Sequence, residues 1–90
     1  GPDGSYHTEI RAATGLDPNT PSGNIAGGCY KLGLYMKRYD SVEKAAMAYN
    51  MGEGGAKRAW ANGVTSTGYS RAVKEAMEVW EHTVGTWGGA

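Results

Sequence analysis

The apolar residues of this chain recur three and four positions apart, and this spacing constrains its fold more than any other feature. In the first such run the steps are four, three, four and three, through Ile25, Cys29, Leu32, Met36 and Tyr39. This spacing places side chains on one face of an α-helix, the face that a globular domain buries. No segment alternates apolar and polar residues as a strand would. We therefore predict an all-α fold, a small bundle of about four helices.

Loop signals separate the first two helices. A short helix over residues 6–14 is expected to end at Gly15, and residues 16–23 (LDPNTPSG) are predicted to form a loop. The second helix carries the run described above, with Asn24 as its N-cap. Its glycines indicate that another backbone packs closely against it: Gly27, Gly28 and Gly33.

Two further apolar faces follow. Ser41 is placed to cap the next helix, with Glu43 in its first turn and a buried face of Val42, Ala45, Ala46 and Tyr49. The glycine-rich stretch at residues 50–55 is expected to stop it, and a short helix is predicted over residues 56–61. One of Thr65, Ser66 or Thr67 then caps the last helix, whose apolar face comprises Tyr69, Val73, Ala76, Trp80 and Val84.

With 90 residues, the chain is expected to form one small domain, over residues 6–84. Residues 1–5 (GPDGS) are typical of a protease-cleavage scar and linker, and residues 85–90 are predicted to be a flexible tail. The sequence contains neither the roughly 18 consecutive apolar residues of a membrane span nor an opening signal peptide. Behind an expression scar, the lack of a targeting segment says nothing about localisation.

Charge and potential ligand residues exclude several classes of function. Nine basic and nine acidic residues give no net charge, which disfavours nucleic-acid binding. The cluster of Lys31, Lys37 and Arg38 is interpreted as the solvated face of a helix. Cys29 is the only cysteine, and His7 and His82 belong to no ligand motif. No metal and no cofactor are expected.

The most informative motif lies where the third helix is expected to end. Ala48-Tyr49-Asn50-Met51-Gly52 is followed directly by Glu53-Gly54-Gly55. Glycines at such a turn let backbone amides and carbonyls approach a ligand without interference from a Cβ atom. Taken alone, the segment is also compatible with an ordinary helix end and turn.

Two flanking segments strengthen the motif: Asp17-Pro18 followed by Asn24-Ile25 and Gly28 upstream, and residues 66–73 (STGYSRAV) downstream. In this order the three segments resemble the C-terminal half of the lytic transglycosylases, peptidoglycan-cleaving enzymes of the goose-lysozyme-like (SLT-type) fold. The resemblance covers roughly residues 16–81. It implies a glycan groove lined by Tyr49, Asn50, Gly52 and Tyr69.

The resemblance also implies a catalytic glutamate in an N-terminal half that this sequence does not match. That residue acts as acid and then base, which requires a raised pKa. Glu9 lies only fifteen residues before Asn24, too few for the family's intervening helix and motif, and is expected at the surface. Glu53 is a weak candidate for the catalytic acid, since a glutamate in a turn is expected to be solvated with an ordinary pKa. Three further glutamates are expected to be solubilising: Glu75, Glu78 and Glu81.

The tryptophans allow different interpretations. Trp60 either stacks on a sugar or closes the core beneath the short helix. Trp80 lies on the apolar face of the last helix and is predicted to be part of the core.

We therefore expect a truncated lytic-transglycosylase-like domain that has no catalytic activity by itself and retains part of a peptidoglycan glycan groove. The alternative is a lysozyme-like fold reused as a protein-binding inhibitor or adaptor, encoded by a phage or mobile element, with a surface that includes Lys57, Arg58 and Trp60. A truncated helical domain exposes apolar surface, which a second copy in a homodimer would cover. In a third alternative the domain is an enzyme, and the missing half comes from another chain or from residues outside this sequence. The first role implies the cell envelope and the reused fold implies the cytoplasm.

Overall fold

The computed structural model describes residues 5–88, and every regular element within them is an α-helix. The helices are α1 (Ser5–Thr14), α2 (Pro21–Arg38), α3 (Val42–Ala61) and α4 (Gly68–Gly88). The predicted all-α fold of about four helices is confirmed. The scar predicted for residues 1–5 lies outside the described residues except for Ser5, which begins α1.

The chain divides into two compact units, Gly1–Leu34 and Tyr35–Ala90. In the first unit, α1 ends as predicted at Gly15, whose φ of 71° is favourable only for glycine. The buried side chain of Ile10 packs against Gly27 of α2, where a Cβ atom would lie 3.2 Å from Cγ2 of Ile10. Gly27 therefore accommodates a side chain of α1 and not a backbone. At Gly33, the other glycine compared, nothing lies within 4 Å of the Cβ position.

Helix α2 begins earlier than Asn24, so the prediction of Asn24 as its N-cap is wrong. The hydroxyl of Thr20 accepts a hydrogen bond from the Gly23 N–H (3.1 Å), and Pro21 occupies the first helical position. Proline suits this position because its fixed φ is helical and its missing N–H has no helical partner there. The predicted loop therefore ends at Thr20, three residues before the boundary at Gly23.

The N-terminal half of the apolar face predicted for α2 is not buried. Ile25 is 68% exposed, and Cys29 is also exposed. Both residues lie two positions from Gly27, which is about 200° around a helix. Since Gly27 is the position that faces Ile10, the side chains of Ile25 and Cys29 point away from α1.

In the second unit, α3 packs against α4. The predicted cap is confirmed, since the Ser41 side chain accepts a hydrogen bond from the Lys44 N–H (3.2 Å). Four consecutive residues of α3 are fully buried: Ala45, Ala46, Met47 and Ala48. The three alanines, together with the buried Ser70 of α4, allow the two helices to approach closely.

Helix α4 extends beyond its contact with α3. Its buried residue, Ser70, lies in the first turn, whereas Trp80 is 58% exposed. The prediction of Trp80 as a core residue is therefore wrong, because the helix continues past the surface that covers its first turns. Of the residues predicted to form a flexible tail, 85–88 belong to α4, and 89–90 lie outside the described part.

Candidate functional site

Exposure changes abruptly within α3 at the predicted motif. Residues 45–48 are fully buried, and each of the next four residues is exposed: Tyr49, Asn50, Met51 and Gly52. Tyr49 is 40% exposed, which contradicts the prediction that it belongs to the buried face. Two consecutive side chains with hydrogen-bonding groups, a phenol and an amide, therefore lie at the surface directly after the buried segment of α3.

A break in the helix lies at the end of this exposed segment. Gly52 has φ 79° and ψ 154°, far from helical values, and the chain continues as helix on either side of it. These angles belong to a region that is essentially restricted to glycine. The prediction that residues 50–55 stop the helix is thus correct at one position only. The helix resumes at once and runs to Ala61, so the separate helix predicted over residues 56–61 begins directly after the break.

The carboxylate of Glu53 is held immediately after the break. One oxygen accepts a hydrogen bond from the Arg38 guanidinium (2.5 Å), and the other accepts one from the Tyr39 hydroxyl. The Arg38 hydrogen bond, followed by that of Tyr39, holds the pKa of Glu53 below its ordinary value of 4.5. The expectation of an ordinary pKa was wrong, because both donors favour the charged form.

This arrangement makes Glu53 a poor general acid, since a lowered pKa leaves no proton to donate at neutral pH. The carboxylate instead fixes the position of the chain after Gly52. Arg38, interpreted from the sequence as part of a solvated cluster, is one of the two donors. Sequence reasoning did not find this triad, because Arg38 and Tyr39 come from the end of a different helix and no motif links them to Glu53.

Tyr69 lies in the first turn of α4 and is 38% exposed. The turn is fixed by a reciprocal cap, in which Thr67 accepts from the Ser70 N–H (3.0 Å) and Ser70 accepts from the Thr67 N–H (2.7 Å). The structure thus selects Thr67 from the three predicted caps. Tyr69 lies between the two capping residues.

Glu43 ties this turn to the start of α3. Its carboxylate accepts hydrogen bonds from the hydroxyls of Ser66 (2.5 Å) and Ser70 (3.0 Å). These bonds, that of Ser66 first, hold the pKa of Glu43 below its ordinary value of 4.5. From the sequence, Glu43 was placed only in the first turn of a helix, and the network reaching from α4 was not foreseen.

Trp60 lies half-buried near the C-terminal end of α3. Its ring packs edge-on against Tyr39 (centroids 5.0 Å apart), and the ammonium of Lys44 lies 5.2 Å from its centroid. The indole N–H is buried and has no acceptor among the described residues. These contacts favour the core role over sugar stacking.

The four predicted glycan-binding residues therefore lie on two helices that pack together. Tyr49, Asn50 and Gly52 are neighbours at the break in α3, and Tyr69 is at the start of α4. Their convergence on one concave surface stays a prediction. Within residues 5–88, no group of three or more residues is arranged to hold a metal ion. None of the described helices is long and apolar enough to cross a membrane.

Comparison with known proteins gives one match. The family model described as "Transglycosylase SLT domain" matches residues 8–71, well over half of the chain. The matched region contains most of α1, all of α2 and α3 and the first turn of α4, and so includes every residue of the candidate site. Neither the curated proteins nor the solved structures gave a match.

Proposed function

This chain belongs to the transglycosylase SLT domain family, and from that premise we propose that it binds the glycan strand of peptidoglycan at the break in α3 without cleaving it by itself. The family relates the chain to peptidoglycan and to lytic-transglycosylase-like function. The proposal adds the binding residues, which are Tyr49, Asn50 and Gly52 of α3 and Tyr69 of α4, and the absence of catalysis.

The change from buried to exposed residues at position 49 is the observation that carries the binding proposal. A helix that served only to support the core would continue its buried face past Ala48. Here Tyr49 and Asn50 are instead exposed, and the helix breaks two residues later at Gly52, in a conformation essentially restricted to glycine. Glycans present hydroxyls and apolar ring faces, which an amide and a phenol complement.

The carboxylates support the absence of catalysis. A glutamate that protonates a glycosidic oxygen needs a raised pKa in a desolvated site. Among the described residues, only Glu43 and Glu53 are partly buried, and hydrogen-bond donors lower the pKa of both. The remaining described carboxylates are exposed: Glu9, Asp17, Asp40, Glu75, Glu78 and Glu81. None of these residues has the environment of a general acid.

Incubation with purified peptidoglycan tests both parts of the proposal. The chain is expected to sediment with the insoluble polymer, and mass spectrometry of the supernatant is expected to show no 1,6-anhydro sugars. Asn50→Ala removes one hydrogen-bonding side chain, which should weaken binding about 5- to 10-fold. Asn19→Ala, at another exposed asparagine outside α3, serves as the matched control and should bind as the unaltered chain does.

The outcomes separate the alternatives. Anhydro products would contradict the absence of catalysis, and Glu53→Gln and Glu9→Gln would then identify the acid. A folded chain that remains in the supernatant would contradict glycan binding. That result would favour the reused fold, in which Lys57 and Arg58, both exposed on α3, belong to a surface for a protein partner.

A further inference from the structure

The guanidinium of Arg58 lies beside the break in α3. Its Nη1 atom is 3.4 Å from the place that a Cβ atom would take at Gly54, and its Nη2 atom is 3.9 Å from the corresponding place at Gly55. Long helical side chains point back towards the start of their helix, so Arg58 reaches the first turn after the break. The side chain of Met51 lies 3.6 Å from the same place at Gly55. Arg58 and Met51 thus meet at one point of the chain, and Met51 directly follows Asn50 of the proposed glycan site.

No carboxylate among the described residues uses the charge of Arg58. The ion pairs found within residues 5–88 join Arg11 to Asp17 and Arg38 to Glu53. Glu53 is the one acidic residue of α3 after the break, and its two oxygens already accept hydrogen bonds from other side chains. The Arg58 side chain is exposed, and no described residue accepts a hydrogen bond from it. Its five N–H donors are therefore available to a ligand.

The charge after the break is positive, although the chain as a whole has no net charge. This part of α3 carries one acidic residue, Glu53, and two basic residues, Lys57 and Arg58. The charge of Glu53 is balanced by its ion pair with Arg38. Two positive charges therefore remain within one turn of helix, and such an excess attracts an anionic ligand more than a neutral one.

We propose that Arg58 binds a carboxylate of the glycan strand, so that the site at the break in α3 is selective for acidic over neutral sugars. The inference rests on the proposed glycan binding and adds its specificity. A carboxylate matches the planar fork of a guanidinium, which donates two parallel hydrogen bonds to it. In peptidoglycan such carboxylates belong to the lactyl group of muramic acid or to the peptides attached to that group. Neutral polymers of N-acetylglucosamine have none.

The side chains around the break then bind different parts of the ligand. The phenol of Tyr49 and the amide of Asn50 form hydrogen bonds with hydroxyl and acetamido groups, which neutral and acidic sugars share. The guanidinium of Arg58 binds the group that only the acidic sugars carry. Loss of Arg58 should therefore remove the preference for acidic sugars without weakening the binding of neutral ones, whereas a structural role would weaken both.

Isothermal titration calorimetry of the full chain with matched disaccharides tests the inference. One ligand is N-acetylglucosaminyl-N-acetylmuramic acid with a free lactyl carboxylate, and the other is the same disaccharide with that carboxylate converted to its methylamide. The acid is expected to bind at least about 5-fold more tightly, because the methylamide cannot form the charge-assisted hydrogen bonds. A third ligand carries the stem peptide on the lactyl group. If this ligand alone binds more tightly than the methylamide, the carboxylate that Arg58 binds belongs to the peptide.

The variants separate a specific contact from general attraction. Arg58→Gln should abolish the preference and leave the affinity for the methylamide unchanged, and Arg58→Lys should keep part of the preference. Lys57→Gln is the matched control, since it removes the same charge at the adjacent exposed position, about 100° away around the helix. It should weaken binding of the acid less than about 2-fold. Circular dichroism checks that each variant keeps its helix content.

Two results would overturn the inference and leave glycan binding intact. The first is equal affinity for the methylamide, the acid and the peptide-bearing disaccharide. The second is an equal loss in Arg58→Gln and Lys57→Gln, which would show that attraction by net charge accounts for the preference. If the folded chain binds none of the three ligands, the proposed function is overturned together with this inference.

Discussion

The conformation of Gly52 sets the geometry of the candidate site. Its φ of 79° and ψ of 154° lie where a residue with a Cβ atom is strained by about 1–3 kcal/mol. The space around it is open, since a Cβ atom there would meet no other atom within 4 Å. The requirement for glycine is therefore conformational and not a matter of packing.

Substitution of Gly52 by alanine should destabilise the chain by about 1–3 kcal/mol, the cost of this backbone conformation. Gly33→Ala is the matched control, since Gly33 lies inside α2 with no positive φ and no neighbour within 4 Å of its Cβ position. There alanine should stabilise by up to about 1 kcal/mol. Urea denaturation of both variants measures the difference, and equal effects would contradict the role given to Gly52.

Glu53 should make stability depend on pH in the acid range. Because its pKa is lowered in the folded chain, its contribution is complete above the unfolded value near 4.5 and is lost as the pH falls through the folded value. Glu53→Gln should therefore lower the melting temperature more at pH 7 than at pH 3. Glu78→Gln, at an exposed position of α4, should change stability little at either pH. A deficit of Glu53→Gln that is the same at both values would contradict the account.

For individual residues, the sequence predicted which residues lie at the break in α3 but not which side chains surround them. The motif around Asn50 identified the segment where the helix breaks, because the glycines that permit the break are visible in the sequence. The lowered pKa of Glu53 was not predictable. It depends on Arg38 and Tyr39, which tertiary structure alone brings to the carboxylate.

The start of α4 is the helix end most firmly fixed in the second unit. Ser70 is fully buried, accepts from the Thr67 N–H and donates to Glu43 of α3. One hydroxyl thus completes a cap and links two helices. Tyr69 is carried on this turn, so its position depends on the same network.

Ser70→Ala should destabilise the chain by about 1–2 kcal/mol, because it removes one half of the reciprocal cap and leaves the Thr67 N–H and the Glu43 carboxylate without that partner. Ser22→Ala, at an exposed position in the first turn of α2, should cost less than about 0.5 kcal/mol. Thermal denaturation followed by circular dichroism compares the two variants. If both change stability alike, the network does not have the role described.

Local sequence signals were sufficient to predict some of the helix boundaries but not others. Ser41 begins α3 and Gly15 ends α1 as predicted, since both act through backbone groups within a few residues. The start of α2 was misplaced because Asn24 and Thr20 are both acceptable caps, and only Pro21 favours the earlier one. The end of α4 was misplaced because its glycines indicate fraying, whereas the helix continues to Gly88.

The buried residues of α3 are alanines apart from one long side chain. Met47 is the largest side chain of α3 that is fully buried, and its neighbours Ala46 and Ala48 leave little volume to replace it. Met47→Ala should therefore cost about 2–5 kcal/mol through lost burial and the cavity left behind.

Met51→Ala is the matched control for this prediction, since Met51 lies one turn further along α3 and is exposed. It should change the free energy of unfolding by less than about 1 kcal/mol. Chemical denaturation of the two variants gives the comparison. A small effect at Met47 would show that the region between α3 and α4 is not tightly packed.

For the molecule as a whole, helical periodicity was sufficient to predict the fold class but not which faces are covered. Trp80 and Ile25 lie on regular apolar stripes, and both are exposed because no described helix packs over them. The periodicity of the sequence shows that one face of a helix is apolar. Whether that face is buried depends on where the neighbouring helices end. The partners of such faces therefore have to be found by experiment.

The most direct test of glycan binding is an NMR titration of the isotopically labelled chain with a soluble disaccharide repeat of peptidoglycan. The account predicts that backbone amide shifts change at residues 49–52 and at Tyr69, and that the face of α4 around Trp80 and Trp87 stays unperturbed. Absence of shifts at saturating glycan, or shifts confined to residues outside the break in α3, would contradict the central claim.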